Sequence, residues 1–322
     1  MILALFFLFS IFAQAEESSL HSDLLASWAN LSIEEHLDYV YSLQNTGRYD
    51  SAEERLHYLL QRESSAVIQF ELARNLELQE RYSEALEGYN QISLKECSAD
   101  LRLNILYRQA LVLSDLQQEK EALKMVRRLR RRIFLSKTDR RGIRLLLGAT
   151  EIKAGKKNRG IRRIQRTLNQ LDSDHEHPWL QSKARLTLAE ELLDSASDIE
   201  IIANDSLDDS LRQRANLIVA AERQVQMIIS LNEPEQALIG LSQVADAMLM
   251  LYDDVILSPA PESFTTSQRE IYQEELEERA KILQHKSLSY YSTALRYANQ
   301  LEWKGAITEE LKAKYSSLQQ EL

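Results

Sequence analysis

The segment "DSDHEHPW" is the best candidate for a metal site in the sequence. Asp172 and Asp174 supply carboxylates. His175 and His177 stand two residues apart, so in a loop they could share one zinc or nickel ion. The same residues also fit a polar connection between two helices that ends at a proline. The segment therefore supports two hypotheses, a metal-dependent hydrolase and a plain linker.

No other pattern in the sequence matches a known catalytic arrangement. None of the six histidines stands in a His-Glu-x-x-His frame, and no glycine-rich loop that could hold a phosphate is present. Paired carboxylates such as Glu190 and Glu191 are adjacent in sequence. Neighbours on a helix point about 100° apart, so such pairs do not converge as a general acid and base. We therefore expect a protein that is not an enzyme and needs no cofactor and no metal.

Positive charge is concentrated in the middle of an acidic chain. The net charge is −10, yet residues 120–166 hold 18 lysines and arginines against 3 acids. At 100° per residue, the apolar and basic residues of this region fall on opposite sides of two helices. We call the basic side the basic patch; it consists of Lys120, Lys124, Arg127, Arg131, Arg159, Arg162, Arg163 and Arg166.

The composition predicts an all-α fold. Glycine and proline together number only 12 in 322 residues, which is far below average usage and leaves few residues for the many turns of a strand-rich fold. Alanine, leucine, glutamate, glutamine and arginine dominate, and these residues favour helices. Long helices joined by short loops are the expected architecture.

The first fifteen residues predict export. Residues 2–12 form an apolar run that is too short to span a bilayer in the usual way. The run ends at Ala13-Gln14-Ala15, the small-x-small pattern of a signal-peptidase site, and Glu16 follows at once. We expect a signal peptide that is cleaved after Ala15 and a mature protein in the periplasm. An uncleaved N-terminal anchor is the alternative.

A phrase of the form Arg-Tyr-x-x-Ala occurs around Ala52 and again around Ala85, 33 residues later. Self-similarity at this period is typical of stacked helical hairpins. Three later copies place Ala122, Gly160 and Ala237 at the equivalent position, and a degenerate copy covers residues 179–202. With these motifs the chain resembles the tetratricopeptide repeat family, which has two antiparallel helices per repeat. Because only a small side chain lets two helices approach closely, we expect all five residues at helix crossings.

The C-terminal region follows a proline-containing stretch. Residues 258–268 contain two prolines within three residues and predict a linker loop. Residues 269–322 then keep apolar residues three or four apart, and this block resembles the C-terminal block of envelope repeat proteins of gliding or predatory bacteria. The predicted organisation is a signal peptide (1–15), a tetratricopeptide-like α-solenoid (16–257), a linker loop (258–268) and C-terminal helices that cap the solenoid (269–322).

The resemblance implies which helices form the convex side and which form the concave side. Second helices of such repeats face the convex side, so the basic patch would lie there. The concave positions of the first helices would be occupied by Phe70, Arg74, Tyr107, Leu111, Leu145 and Ala149. Only Arg74 suits recognition of a carboxylate, so we do not expect the clamp for a free C-terminal carboxylate that some repeat proteins have. An apolar concave groove for a partner helix stays an alternative.

Together these features favour a non-enzymatic scaffold for protein–protein interactions in a bacterial periplasm or envelope. The C-terminal resemblance suggests a motility or surface-assembly complex as its context. The expected partner is a protein with an acidic surface, and an exported protein is not expected to bind nucleic acid. The first alternative is a membrane-peripheral protein that binds anionic lipid through the basic patch, and the second is the metal-dependent hydrolase. The basic patch could also be a solvated surface without a partner.

Overall fold

The computed structural model describes residues 28–130, 135–171, 176–201, 207–261 and 263–322. Within these ranges the chain forms thirteen α-helices and no β-strand, so the predicted all-α fold is confirmed. The signal peptide and Arg131 lie outside the described residues. The helices are α1 (Ile33–Gln44), α2 (Tyr49–Arg62), α3 (Ala66–Leu78), α4 (Tyr82–Gln91), α5 (Ala99–Asp115), α6 (Glu119–Leu129), α7 (Lys137–Lys153), α8 (Lys157–Leu168), α9 (Pro178–Ser197), α10 (Leu207–Ser230), α11 (Pro234–Ile256), α12 (Thr266–Gln300) and α13 (Ala306–Glu321).

The first eight helices alternate between two kinds of N-terminus. Helices α1, α3, α5 and α7 each begin after a serine whose hydroxyl accepts a hydrogen bond from a backbone N–H of the first turn. Such a cap satisfies one of the free N–H groups at a helix start. Helices α2, α4, α6 and α8 have no side-chain cap. Each of these four follows a tight turn from the helix before it, so the eight helices form four hairpins.

The tight turns share one backbone conformation. Gly47, Glu80, Gln117 and Gly155 have φ values between +59° and +74°. The N–H of the following residue then bonds to a carbonyl five positions back, at 2.8–2.9 Å, which is the Schellman arrangement that ends a helix. Asn232, between α10 and α11, has the same left-handed conformation. In all five turns the left-handed residue comes five positions before the small residue of the repeated phrase.

The small residues lie at helix crossings, as predicted from the sequence. Ala52, Ala85, Ala122 and Ala237 are fully buried, and Gly160 is buried as well. A Cβ atom added to Gly160 would lie 2.5 Å from a backbone oxygen of α7. The facing helices therefore approach one another as closely as their backbones allow.

The hairpins stack in two rows. Helices α3, α5, α7 and α9 each contact the next and form one row, while α4, α6 and α8 pack against the outside of that row. Glu235 at the start of α11 faces Glu77, Arg108 and Lys183 of the first row, which places this row on the concave side. The second row, with α6 and α8, is therefore convex.

The C-terminal helices bring the end of the chain back to its first hairpin. Helix α12 has 35 residues and begins at Thr266, slightly before the predicted start; it packs along α11, and α13 folds back on it. The turn between α12 and α13 touches the turn between α1 and α2. There the Lys304 N–H donates to the Thr46 carbonyl at 2.8 Å, and the rings of Trp303 and Tyr49 pack edge to face. The array of helices thus closes on itself.

The predicted apolar groove on the concave side is absent from the described part of the fold. The apolar residues expected on the concave face, namely Phe70, Tyr107, Leu111, Leu145 and Ala149, are all buried in the cores between helices. The alternative of an apolar concave groove is therefore wrong, because these side chains are already covered by neighbouring helices.

Among the helices of the described ranges, none has both the length and the hydropathy needed to cross a membrane.

Candidate interaction surface

Helix α6 separates its apolar and basic residues cleanly. Ala122 and Val126 are fully buried against the neighbouring helices. Lys120, Lys124 and Arg127 point into solvent on the other side. Within the described part of the chain, these three side chains have no ion pair. Their charges are therefore available to a partner, and α6 carries them on the convex side of the array.

Helix α8 repeats this separation with a smaller basic side. Ile164 is fully buried, whereas Arg162 and Arg166 are exposed. The Arg162 guanidinium donates to the backbone carbonyl of Asn158 at 3.0 Å, which fixes its stem along the helix. Arg166 has no ion pair among the described residues. Both α6 and α8 pack against α7, so their basic sides flank the same helix.

Arg159 and Arg163 differ from the rest of the basic patch. Arg163 donates from Nε to the Glu151 carboxylate at 2.8 Å, and Arg159 pairs with the same carboxylate at 3.0 Å. The Glu151 side chain is only 1% exposed. A buried carboxylate without partners would be costly, so the two arginines stabilise the α7–α8 contact. The sequence interpretation did not detect this role, although a glutamate followed directly by Ile152 on a mostly apolar helix was a signal for it.

Five residues of the basic patch remain as a candidate binding surface. We call them the exposed basic surface; they are Lys120, Lys124, Arg127, Arg162 and Arg166. Like charges that are not neutralised repel one another and lower stability slightly. A partner with an acidic surface would relieve this repulsion and would be attracted from a distance, and salt would weaken that attraction.

The concave side of the array contains its own ion pairs. Arg108 of α5 pairs with Glu77 of α3 at 3.0 Å, and the Tyr89 hydroxyl donates to the same carboxylate at 2.7 Å. The Arg108 guanidinium also stacks 4.0 Å from the ring centroid of Trp179. Sequence reasoning missed this network, because its four residues come from four different helices and the sequence spacing between them carries no pattern.

The acids at the start of α11 complete the concave side. Burial raises the pKa of Glu233 and, together with the nearby Glu77 carboxylate, that of Glu235. The Tyr49 hydroxyl donates to Glu235 at 3.4 Å, across from the first hairpin. These groups connect the two ends of the array and stabilise its closed form.

The proposed metal segment is only partly visible. Asp172, Asp174 and His175 lie outside the described residues. His177 directly precedes α9 in a left-handed conformation, and its ring packs edge to face against Tyr107. In the described ranges, no group of three or more potential metal ligands converges. His177 itself fills a position in a helix contact, and the hydrolase hypothesis rests on the sequence alone.

Comparisons with known proteins give a structural likeness and no family match. No family model matches the chain, and no curated protein matches it. Among solved structures, the chain is similar to a tetratricopeptide repeat protein from Parabacteroides merdae ATCC 43184, with 17% identity and a TM-score of 0.38. The match covers 86% of this chain and 96% of that one. The hairpins and their repeated turn, rather than this likeness, make the chain a tetratricopeptide-like helical solenoid.

Proposed function

We propose that the chain is a non-enzymatic scaffold that binds an acidic partner protein through its exposed basic surface. The observation that carries this proposal is the convex position of five exposed cations on α6 and α8 that no carboxylate of the described residues neutralises. The concave side supports the same choice, because Arg108 and Glu77 there already pair with one another. A tetratricopeptide-like array offers a rigid, extended surface for such binding.

The place of action that we propose is a bacterial periplasm or envelope. The apolar run of residues 2–12 and the small residues up to Ala15 support export. The resemblance of the C-terminal block to envelope repeat proteins supports a motility or surface-assembly complex as the context. N-terminal sequencing of protein from the native envelope tests export. A mature chain that begins at Glu16 is the expected result, and a mature chain that still begins at Met1 would contradict it.

The test of the binding surface is a fourfold charge reversal. We expect the quadruple variant K120E/K124E/R127E/R166E to lose its partner and to stay folded, since these side chains reach no core contact. Arg159 and Arg163 are left unchanged because they hold Glu151. The matched control makes the same change in net charge at four of the exposed cations of α12 and α13; it is R279E/K281E/K286E/K312E.

In-cell crosslinking followed by mass spectrometry measures the outcome. A crosslinked protein that disappears with the quadruple variant and persists with the control identifies the partner. Equal crosslinking in both variants would show that the exposed basic surface binds no partner and is only hydrated. Flotation with anionic vesicles tests the alternative that the surface binds lipid. Each basic residue near such a membrane contributes on the order of 1 kcal/mol to the free energy of binding. Flotation that the quadruple variant abolishes, without a stoichiometric protein partner, would favour the lipid.

A further inference from the structure

Helix α7 begins with an unusual concentration of positive charge. Lys137, Arg140 and Arg141 lie in its first two turns, and Arg144 follows on the next turn. Cations are disfavoured at a helix N-terminus, because the backbone N–H groups and the helix dipole are positive there. The acid of the first turn, Asp139, accepts hydrogen bonds from the capping serine. Local interactions within α7 therefore do not explain why the charges lie at this end.

These residues surround a cavity. Its volume is about 500 Å³, and it is lined by Leu135, Lys137, Arg140, Arg141, Arg144 and Gln170. Among the described residues, no carboxylate lines it. The Arg141 guanidinium is directed to Glu176, with both carboxylate oxygens within 3.0 Å. Arg140 and Arg144 are exposed, and Arg144 donates to the side-chain oxygen of Gln170 at 3.4 Å.

We propose that this cavity binds a phosphate-type anion, either a phosphomonoester or a pyrophosphate. Arg140 and Arg144 stand four residues apart on one side of α7, so their planar guanidinium groups can hold oxygens of the same anion. Gln170, from the turn after α8, adds an amide N–H beside Arg144. A single carboxylate needs one guanidinium, whereas two guanidiniums and an amide match the larger number of oxygens and the greater charge of a phosphate.

The cavity is a different site from the exposed basic surface. Its cations come from α7, whereas the exposed basic surface belongs to α6 and α8. The proposal therefore goes beyond the scaffold function and can fail or succeed independently of it. A soluble phosphomonoester and a lipid phosphate headgroup have the same chemistry at this cavity, so the experiment includes one arm for each.

The experiment is calorimetric titration of the full chain with pyrophosphate at constant ionic strength. We expect saturable binding at one site per chain. The double variant R140A/R144A should bind at least tenfold more weakly. The matched control K124A/R127A removes the same charge from the exposed basic surface, and its affinity should stay within twofold of the wild type.

A second variant, Gln170→Glu, keeps the proposal testable if R140A/R144A does not fold. Gln170 is exposed in a turn, so Gln170→Glu leaves the core intact while it places a carboxylate beside Arg144. It should also weaken pyrophosphate binding at least tenfold. Absence of saturable binding to the wild type, equal losses for the two double variants, or an unchanged affinity for Gln170→Glu would each overturn the proposal.

The lipid arm uses flotation with vesicles that contain phosphatidic acid. The site takes the headgroup of a lipid phosphate if three results agree: the wild type floats, R140A/R144A does not float, and pyrophosphate prevents the wild type from floating. If pyrophosphate binds with the expected variant pattern and no flotation occurs, the site takes a soluble phosphate-type anion. Flotation that K124A/R127A abolishes and R140A/R144A retains belongs to the exposed basic surface and counts against a lipid at the cavity.

Discussion

The contact between α7 and α8 provides a strict test of the hairpin packing. Gly160 of α8 faces Gly148 of α7, and a Cβ atom on Gly160 would lie 2.5 Å from the Gly148 carbonyl oxygen and 2.6 Å from a side-chain carbon of Ile152. Non-bonded heavy atoms normally stay about 3.5–4.0 Å apart. The substitution Gly160→Ala would therefore require the two helices to separate by roughly 1 Å.

The expected change in the free energy of unfolding combines one gain and two losses. Alanine favours a helix interior over glycine by about 1 kcal/mol. Overpacking against a rigid backbone costs about 1–3 kcal/mol. Separation of the helices also lengthens the hydrogen bond from Arg163 to the buried Glu151, which spans the same contact. We therefore expect Gly160→Ala to lower the free energy of unfolding by about 1–2 kcal/mol, with a fall in melting temperature on the order of 5 °C.

The assay is thermal unfolding followed by circular dichroism, with Gly88→Ala as the matched control. Gly88 also lies within a helix that faces the preceding one, but its nearest neighbour across the contact is the Ala73 Cβ at 3.1 Å rather than a backbone atom. The gain in helix propensity should offset this mild contact, and Gly88→Ala should melt close to the wild type. A melting temperature for Gly160→Ala at or above that of Gly88→Ala would refute the close crossing of α7 and α8.

Three further predictions concern other parts of the array. Ala85→Leu should destabilise by about 1–3 kcal/mol more than Glu84→Leu in urea unfolding, because Ala85 is fully buried and Glu84 is exposed; equal midpoints would refute the repeat register. Gln117→Gly should raise stability by about 0.5–1 kcal/mol, since glycine adopts a φ of +59° without strain; a destabilised variant would contradict this. Burial raises the pKa of Glu235 above its ordinary value of 4.5, so the folded state retains its proton longer and stability falls as the pH rises above about 4.5. In urea unfolding at several pH values above about 4.5, the free energy of unfolding of Glu235→Gln should fall less with pH than that of the wild type. The same dependence on pH in both proteins would count against the burial of Glu235.

Much of the fold could be predicted because local sequence determines it. The repeated phrase around a small residue is a local signal, and it correctly predicted that Ala52, Ala85, Ala122, Gly160 and Ala237 are buried between helices. The apolar concave groove was wrong for a different reason. Helical spacing shows that Leu145 and Ala149 share a side of α7, but it does not show whether a neighbouring helix covers that side.

The candidate surface could be predicted only in part. The spacing of Lys120, Lys124 and Arg127 correctly placed them opposite the buried side of α6. The same reasoning grouped Arg159 and Arg163 with them, although both pair with a buried carboxylate of the preceding helix. Charge counts treat every residue as equivalent, whereas the role of an arginine depends on which acid the fold brings within reach.

The closed array makes the convex side the expected place for binding. Peptide recognition by helical repeats needs an open concave surface with unpaired polar groups. Here the closing contacts of Tyr49, Trp303 and Lys304 bring the last turn against the first, and Glu77 and Arg108 neutralise one another inside. The highest density of positive charge in the chain lies in residues 120–166, which include α6, α7 and α8. Any partner that responds to charge should therefore approach these three helices, and salt should weaken its association while leaving the closed interior intact.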